Sequence, residues 1–378
     1  MEKNIIKGYE IKTPELMADE FIREGLPETF SESRKEEEEK FTKRMGNNIN
    51  YLERLNGTKY TFSVDGFSYI DRKNSILKKI SNVYVVPIEK INVKTVDEDK
   101  SFIKLKGFIA PEGEELPEII IPINNIESGS WFVNSKWGLK VNWELPVQKN
   151  IQIKCIKEIS KYMEEQTIYQ YTGFETINER RVFLHTGGVI GSSENIKVDL
   201  GDEILNKYSL TNKEFDIKET MKFSLQCMNV APQNVTVAIL GDIYLAPLNS
   251  IFEELGIPIG FLTWVQGPQQ SKKTSMVSAL CSHFGNFNKN ESPMSFLDGI
   301  PSIKLKAAKL NGVVALLDDF FPSSNKQEAS EMKKLTETVI SLCADNISGA
   351  RSRSNGEFRK NYRVRCQIIA TRRNISRT

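Results

Sequence analysis

The segment that decides the fold covers residues 257–285 and reads "IPIGFLTWVQGPQQSKKTSMVSALCSHFG". Its first part is apolar and ends in glycine, which is typical of a buried strand. Its last part carries Met276, Val277, Leu280 and Phe284 at helical spacing. A polar loop separates the two parts. Strand, loop and helix in this order form the setting in which phosphate-binding loops of the pattern G-x-x-x-x-G-K-[ST] occur.

The loop fits this pattern at every defined position except one. If Gly267 is the first glycine, Lys273 takes the place of the phosphate lysine and Thr274 that of the hydroxyl that follows it. A register on Lys272 would leave no hydroxyl for a magnesium ion. We therefore expect Lys273 to contact the phosphates of ATP and Thr274 to bind Mg²⁺. The other loop residues expected to line the nucleotide site are Pro268, Gln269, Gln270, Ser271, Lys272 and Ser275.

Lys272 stands where the pattern has its second glycine. This replacement matters only if the position requires a positive φ, or if a phosphate oxygen needs the volume that the Cβ takes. The loop alone is therefore an ambiguous signal.

A second motif follows about forty residues later, in "NGVVALLDDF" at residues 311–320. Five apolar residues lead into Asp318 and Asp319, which is a Walker B pattern. Ligands of open α/β sheets bind at the carboxyl ends of the strands, so these acids and the loop are expected to meet. We expect Asp318 to hold Mg²⁺ and Asp319 to act as the general base for the attacking water. The competing interpretation is that two acids merely end a core strand.

A third motif is "RVRCQIIATRRN" at residues 363–374, a buried strand that ends in polar residues. Thr371 or Asn374 is expected to sense the γ-phosphate. The order of loop, acidic strand and polar-tipped strand is that of AAA+ and related helicase ATPases. The predicted fold class is an α/β P-loop NTPase domain at the C-terminus, preceded by an α+β, β-rich N-terminal region.

A basic segment, "GARSRSNGEFRKNYRVR" at residues 349–365, precedes the third motif. Residues 349–378 contain nine Lys or Arg and one acid, a charge of +8, which leaves −6 for the rest because the total is +2. Asn355-Gly356 predicts a hairpin turn. We expect cationic and aromatic side chains of the hairpin to contact DNA. Alternatively, Arg351 or Arg353 contacts a neighbouring subunit. A third possibility is a basic loop without a binding role. The predicted contact residues are Arg351, Arg353, Phe358, Arg359, Lys360, Tyr362, Arg363 and Arg365.

Changes in composition and in the pattern of apolar residues along the chain predict four segments. They are a charged helical segment (1–57), a β-rich module (58–148), an α+β domain (149–250) and the ATPase core (251–378). Trp131, Trp137 and Trp143 are six residues apart, so we expect them on one side of an extended segment, packed in a core. We expect the ATPase core to be C-terminally incomplete, because the chain ends four residues after Asn374. Either the sequence is a fragment, or a partner subunit supplies the missing parts of the nucleotide site.

Composition excludes several classes of protein. Five scattered cysteines and two histidines form no zinc or disulfide pattern, and structural roles are favoured for them over Cys–His catalysis. The start lacks a signal-peptide core, and we expect no apolar run that approaches the roughly 18 residues of a membrane span. We therefore expect a cytoplasmic protein without a membrane partner.

The motifs together resemble a known family. "YTGFETINERRVFLHTGGVIGS", "GPQQSKKTS", "LLDDF", "SGARSRSNGEF" and "IIAT" are similar to domain-of-unknown-function family 927 of phages, plasmids, islands and staphylococcal cassette elements, over residues 60–378. The resemblance implies a β-containing prefix fused to a helicase-type P-loop ATPase, often beside primase modules. This sequence departs from the family pattern at three places. Lys272 replaces a glycine, and Asp319 stands where glutamate is usual. The ending "ATRRN" stands where a Thr/Ser-Gly-Glu type of ending is common.

We therefore expect an ATP- and Mg²⁺-dependent DNA helicase of a mobile element. Its partners would be single-stranded or forked DNA, further copies of the chain in a ring such as a hexamer, and a primase or other replication protein. Two alternatives stay open. One is a regulatory or scaffold module that binds nucleotide without turnover, and the other is a DNA-binding adaptor whose loop is vestigial.

Overall fold

The structure, a computed structural model, has a mixed α/β fold with several sheets. It describes residues 5–6, 9–10, 28–71, 76–134, 136–144, 149–192, 196–210, 215–268, 270–288, 291–320, 325–344 and 364–373. These residues divide into two compact units. Unit 1 comprises Met1–Ile91 and Ser101–Gln166, and unit 2 comprises Asn92–Lys100 and Thr167–Thr378.

Unit 1 combines short helices with antiparallel strands. Its helices are α1 (Glu28–Met45), α2 (Asn50–Glu53), α3 (Trp131–Asn134) and α4 (Lys149–Ile159). Its strands are β1 (Ile5–Ile6), β2 (Tyr9–Glu10), β3 (Tyr60–Ser63), β4 (Gly66–Asp71), β5 (Ile76–Ser81), β6 (Val83–Lys94), β7 (Lys100–Ile109) and β8 (Glu114–Pro122). Strands β3, β4 and β5 form an antiparallel meander, and β7 pairs antiparallel with β8. The end of β6 and the first residue of β7 belong to unit 2.

The charged N-terminal helix α1 is not only a solvated surface element. Its Phe41 and Met45 are buried, and the Phe41 ring lies 5.5 Å from that of Phe62 in β3. The i,i+4 spacing of Glu36 and Lys40 predicts an ion pair, and this pair is present at 3.6 Å on the exposed side. Residues of α1 and α4 pack into the same core as the β-rich module. The bounds of the compact units therefore differ from those of the four predicted segments.

The tryptophan segment of unit 1 differs from the prediction. Trp131 lies in helix α3 and Trp137 in the following turn, so the three tryptophans do not share one side of an extended segment. Trp131 and Trp137 are nevertheless core residues, with ring centroids 5.9 Å apart. Burial of the large rings against one another, rather than strand alternation, determines the local backbone.

Unit 2 contains strands β9 (Glu164–Tyr169, from Thr167 onward), β10 (Gly173–Ile177), β11 (Arg180–His185), β12 (Gly188–Ile190) and β13 (Lys197–Val198). Strands β10, β11 and β12 form an antiparallel sheet. The glycines of "HTGG" predict a tight hairpin, and such a hairpin joins β11 to β12. Helices α5 (Ile217–Gln226), α6 (Gln233–Leu245) and α7 (Asn249–Glu254) follow.

The rest of unit 2 alternates strands with helices, as predicted. Strands β14 (Thr263–Gly267), β15 (Met294–Ser295), β16 (Val314–Phe320) and β17 (Gln367–Arg373) alternate with helices α8 (Lys273–Cys281), α9 (Ile300–Lys309) and α10 (Lys326–Ala344). The four strands form one parallel sheet in the order β14-β17-β16-β15. The centre of β16 and of β17 is fully buried, which explains their unbroken apolar runs. All four carboxyl ends lie at one edge.

Three elements are shorter than their sequence patterns predict. Strand β14 starts only at Thr263, although the apolar run begins at residue 257. Helical spacing in residues 150–166 and 234–255 predicts that Tyr162 and Leu248 face inward, but α4 ends at Ile159 and α6 at Leu245, and the two side chains are 44% and 42% exposed.

One helical stretch of the described residues, Gln233–Glu254, is long and apolar enough to cross a membrane by length and composition, contrary to the sequence-based expectation. Core helices of soluble proteins have the same length and composition. The stretch contains the break after Leu245, and its Ile239, Leu240 and Ile243 are buried in the core of unit 2.

Candidate functional site

The loop between β14 and α8 has a tight, specific backbone. Gly267 ends the strand, and a Cβ on it would lie 3.2 Å from the hydroxyl of Ser271, so the position favours glycine. Lys272 is the N-cap of α8 and has φ 57° and ψ 27°. The position of the expected second glycine therefore does require a positive φ, and a lysine occupies it under strain. Gln270 also has a positive φ, of 62°.

Lys273 folds over this loop. Its ammonium donates to the carbonyl oxygens of Gly267 at 3.0 Å and Pro268 at 2.6 Å, and to the hydroxyl of Ser271 at 3.2 Å. A positive charge therefore lies beside the first turn of α8, where backbone N–H groups and the helix dipole also favour an anion.

A carboxylate joins three elements at the edge of the parallel sheet. Thr274, in the first turn of α8, donates its hydroxyl to Oδ1 of Asp318 at 2.9 Å. Thr371, near the end of β17, donates its hydroxyl to the same oxygen. Thr371 is buried and Asp318 partly buried, so both hydrogen bonds form largely away from bulk water.

The strand that carries the two acids is irregular where they stand. Leu317 pairs with Ala370 and Phe320 pairs with Arg372, so Asp318 and Asp319 together lie opposite Thr371 alone. Asp319 has a positive φ of 64°. Strict alternation along a strand would send the two carboxylates to opposite faces, and a bulge breaks that alternation.

This set of side chains suits a hard divalent cation beside a phosphate. The oxygen atoms of Thr274 and Asp318 are of the type that Mg²⁺ prefers, and Mg²⁺ normally keeps waters and substrate oxygens as its other ligands. Among the residues that the structure describes, no group of three or more His, Cys, Asp or Glu side chains could hold a metal.

The remaining predicted site residues fall into two groups. Pro268, Gln270, Ser271 and Ser275 lie in the loop or in the first turn of α8, at the same edge. Residues outside the described part of the chain are Gln269, Asn374 and seven predicted contact residues: Arg351, Arg353, Phe358, Arg359, Lys360, Tyr362 and Arg363.

Arg365, the eighth predicted contact residue, is described, and it is anchored within unit 2. Its Nε donates to Glu253 of α7 at 2.5 Å. Its carbonyl oxygen accepts from the backbone of Gly312 and from the side-chain amide of Asn249. These contacts indicate a structural role for Arg365.

The cysteines and histidines of unit 2 show structural contacts. Burial raises the pKa of the Cys281 and Cys343 thiols to about 12, so neither is a thiolate at neutral pH. Burial lowers the pKa of His185, whose Nδ1 accepts two backbone N–H groups. His283 contacts the carbonyl oxygen of Leu280 through Nδ1 and the hydroxyl of Ser224 through Nε2.

Two neighbours of the acids escaped sequence reasoning. Phe320 directly follows Asp319, and the guanidinium of Arg372 lies over its ring, 5.2 Å from the centroid. Trp264 and Phe296 complete an aromatic cluster around Phe320, with centroids 5.5 and 5.1 Å from it. The dipeptide Thr371-Arg372 was the available signal, since consecutive strand residues point to opposite faces.

The chain has little detectable similarity to known proteins. No protein-family model and no curated protein matches the chain. A solved structure titled "SCCmec type IV Cch - active helicase" is similar to it, with a TM-score of 0.46 and 11% sequence identity. The match covers 84% of this chain, and the chain spans 55% of the length of that structure.

Proposed function

We propose that this protein hydrolyses ATP at a P-loop and uses the reaction as a DNA helicase or helicase-like ATPase of a mobile genetic element. One observation carries the proposal. Thr274 from the loop motif and Thr371 from the polar-tipped strand donate to the same oxygen of Asp318, from the acidic strand. Three motifs that are far apart in the sequence thus meet at one carboxylate, which an accidental match of the loop pattern would not explain.

Each side chain has a distinct role in the proposed reaction. The Lys273 ammonium exchanges its loop carbonyl acceptors for the β- and γ-phosphate oxygens of ATP, where it offsets negative charge. Thr274 and Asp318 would hold Mg²⁺, which would offset negative charge on the phosphates. Asp319 accepts a proton from the attacking water, and Thr371 keeps Asp318 oriented while it lies close to the γ-phosphate.

The order of the strands supports this assignment. Strand β17 lies between β14 and β16, so its polar tip stands between the loop and the two acids. In open α/β sheets, ligands bind at the carboxyl ends of the strands, where the strand order changes direction. Here the chain passes from β14 at one edge to β15 at the other before it returns, so the strand order changes direction next to β14.

The DNA part of the proposal rests on charge and on the resemblance to family 927. The +8 charge of residues 349–378 favours a polyanion, and Phe358 and Tyr362 lie among the cations. Because Arg365 is paired with Glu253, the proposed contact depends on the preceding residues. A ring of several copies is part of the same proposal, as are a primase or replication partner and a cytoplasmic location.

ATP turnover by the full chain with Mg²⁺, measured with and without single-stranded DNA, tests the proposal. DNA-stimulated hydrolysis that falls by about 100-fold or more in Lys273→Ala is the expected result. Lys222→Ala is the matched control, because Lys222 is an exposed lysine of α5 in the same unit. Binding of ATP without turnover would favour the regulatory module, and no affinity for nucleotide would leave only the DNA-binding adaptor.

A second experiment addresses the DNA contact separately. Replacing Arg359, Lys360 and Arg363 by alanine is expected to weaken DNA binding and to lower the salt slope by about one per lost phosphate contact. Arg34, Lys35 and Lys40 of α1 offer a control with the same loss of charge. An unchanged salt slope would remove the basic segment from the DNA path.

A further inference from the structure

We infer that Arg372 is a positioning residue: by lying on the Phe320 ring, it holds the bulge that carries Asp318 and Asp319. This inference rests on the proposed ATP hydrolysis, because it concerns the geometry of the proposed general base. It adds a residue that does not touch the nucleotide and acts through its neighbour in the sheet.

The register shows why the bulge needs such support. Two residues of β16 lie opposite one residue of β17, and Phe320 opposite Arg372 is the last pair between these strands. Strand β16 ends at Phe320. Beyond the bulge, only the pair Phe320–Arg372 keeps the two strands in register. Without this pair, the pairing of β16 with β17 could shift by one residue.

The contact between the two side chains is well suited to this task. The guanidinium lies 5.2 Å from the ring centroid, within the range of a cation–π interaction. Nε of Arg372 is buried, and none of the described residues accepts a hydrogen bond from it. Both side chains are partly buried, which strengthens the attraction relative to a fully solvated pair.

The ring itself cannot easily move away. Phe296 and Trp264 contact it in edge-to-face geometry, at 5.1 and 5.5 Å between centroids. Phe296 is also tied to the acids through the backbone, because its N–H donates to the carbonyl oxygen of Asp318 at 3.0 Å. Arg372 thus adds a third contact to a ring that Phe296 and Trp264 already hold.

Loss of the contact has a specific consequence for the proposed reaction. Asp319 has a φ of 64°, a strained conformation that persists only where its surroundings enforce it. If the pair opens, the bulge can relax and Asp319 moves relative to the water that it activates. Nucleotide binding depends instead on Lys273, Thr274 and Asp318, and the Asp318 carboxylate stays held by the hydroxyls of Thr274 and Thr371 when the outer pair opens. The change should therefore affect kcat and leave KM almost unchanged.

The test uses the full chain with Arg372→Gln, Phe320→Leu and the double variant. Each single change is expected to lower kcat on the order of tenfold with KM unchanged, and the double variant to lose no more than either single one. Arg372→Lys should restore only part of kcat because the ammonium lacks the planar face, whereas Phe320→Tyr should retain it. Arg181→Gln and Phe174→Leu are matched controls, since that guanidinium lies 4.8 Å from its ring in another sheet.

Hydrogen exchange provides a readout that does not need turnover. In Arg372→Gln without nucleotide, amides of residues 316–320 are expected to exchange on the order of tenfold faster, while those of α5 stay unchanged. Unchanged exchange at residues 316–320 would overturn the inference. Additive effects of Arg372→Gln and Phe320→Leu on kcat in the double variant would also overturn it. A wild-type chain without turnover would overturn the proposed function and the role of Asp319, and the exchange result would still decide whether Arg372 holds the bulge.

Discussion

Lys272 offers a test of the loop that does not depend on any activity. It caps α8 with a φ of 57°, and its carbonyl oxygen accepts the hydrogen bond of Met276 at 2.9 Å. Its side chain is exposed and makes no capping hydrogen bond. The backbone conformation, rather than a side-chain contact, is therefore the main difference that Lys272→Gly would remove.

The expected stability change follows from two opposing terms. A left-handed conformation costs a residue with a Cβ about 1–2 kcal/mol. Glycine loses about 0.5–1 kcal/mol more than alanine when the unfolded chain becomes ordered. We therefore expect Lys272→Gly to be more stable than Lys272→Ala by about 0.5–1 kcal/mol, although both variants lose the same charge.

Hydrogen exchange of the amides in α8 measures this difference locally. The expected gain corresponds to exchange that is about two- to fivefold slower in Lys272→Gly than in Lys272→Ala. Lys222, inside α5, is the matched control, because a right-handed helical position should reverse the order and favour alanine. Faster exchange in Lys272→Gly than in Lys272→Ala would refute the strained loop conformation.

Three further predictions concern buried polar groups. Gln152 is fully buried, and neither of its amide atoms has a hydrogen-bond partner among the described residues. Gln152→Leu should therefore raise the free energy of unfolding, measured by chemical denaturation, by about 1–3 kcal/mol. A loss of stability in this variant would contradict the prediction. Burial raises the pKa of Asp242, so the native state binds its proton more tightly than the unfolded state, and stability is lost as pH rises through the native pKa. Asp242→Asn should therefore stabilise the protein at pH 7, with a difference that shrinks towards pH 3 in denaturation curves, and an advantage independent of pH would refute the cause. Thr371→Val removes one donor from Asp318 and should lower kcat on the order of tenfold or more, with recovery in Thr371→Ser; equal activity of all three would remove Thr371 from the site.

The parallel sheet could be predicted because its signals are local. The apolar runs before Asp318 and through Ile368 and Ile369 are long enough to indicate buried strands, and the helix after the loop has a clear apolar face. The choice of Thr274 as the hydroxyl residue followed from spacing alone. Its contact with Asp318 agrees with the prediction that the loop and the acids meet.

Other features depend on the partner strand or on packing, so a local pattern does not contain them. The bulge exists only relative to β17, and the positive φ of Asp319 follows from it. The sequence left open whether position 272 needs a positive φ, because a lysine there does not reveal its backbone conformation. Likewise, Trp131 and Trp137 follow their aromatic contacts into a helix and a turn, although their spacing suggested a strand.

The dependence of nucleotide affinity on Mg²⁺ tests the central claim most directly. The claim is that Thr274, Asp318 and Thr371 form one site for magnesium and phosphate beside Lys273. Binding of a fluorescent ATP analogue should tighten when Mg²⁺ is added to the wild-type chain. In Asp318→Asn, the analogue should still bind through the loop, but Mg²⁺ should tighten binding far less. Equal tightening by Mg²⁺ in both proteins would contradict the account.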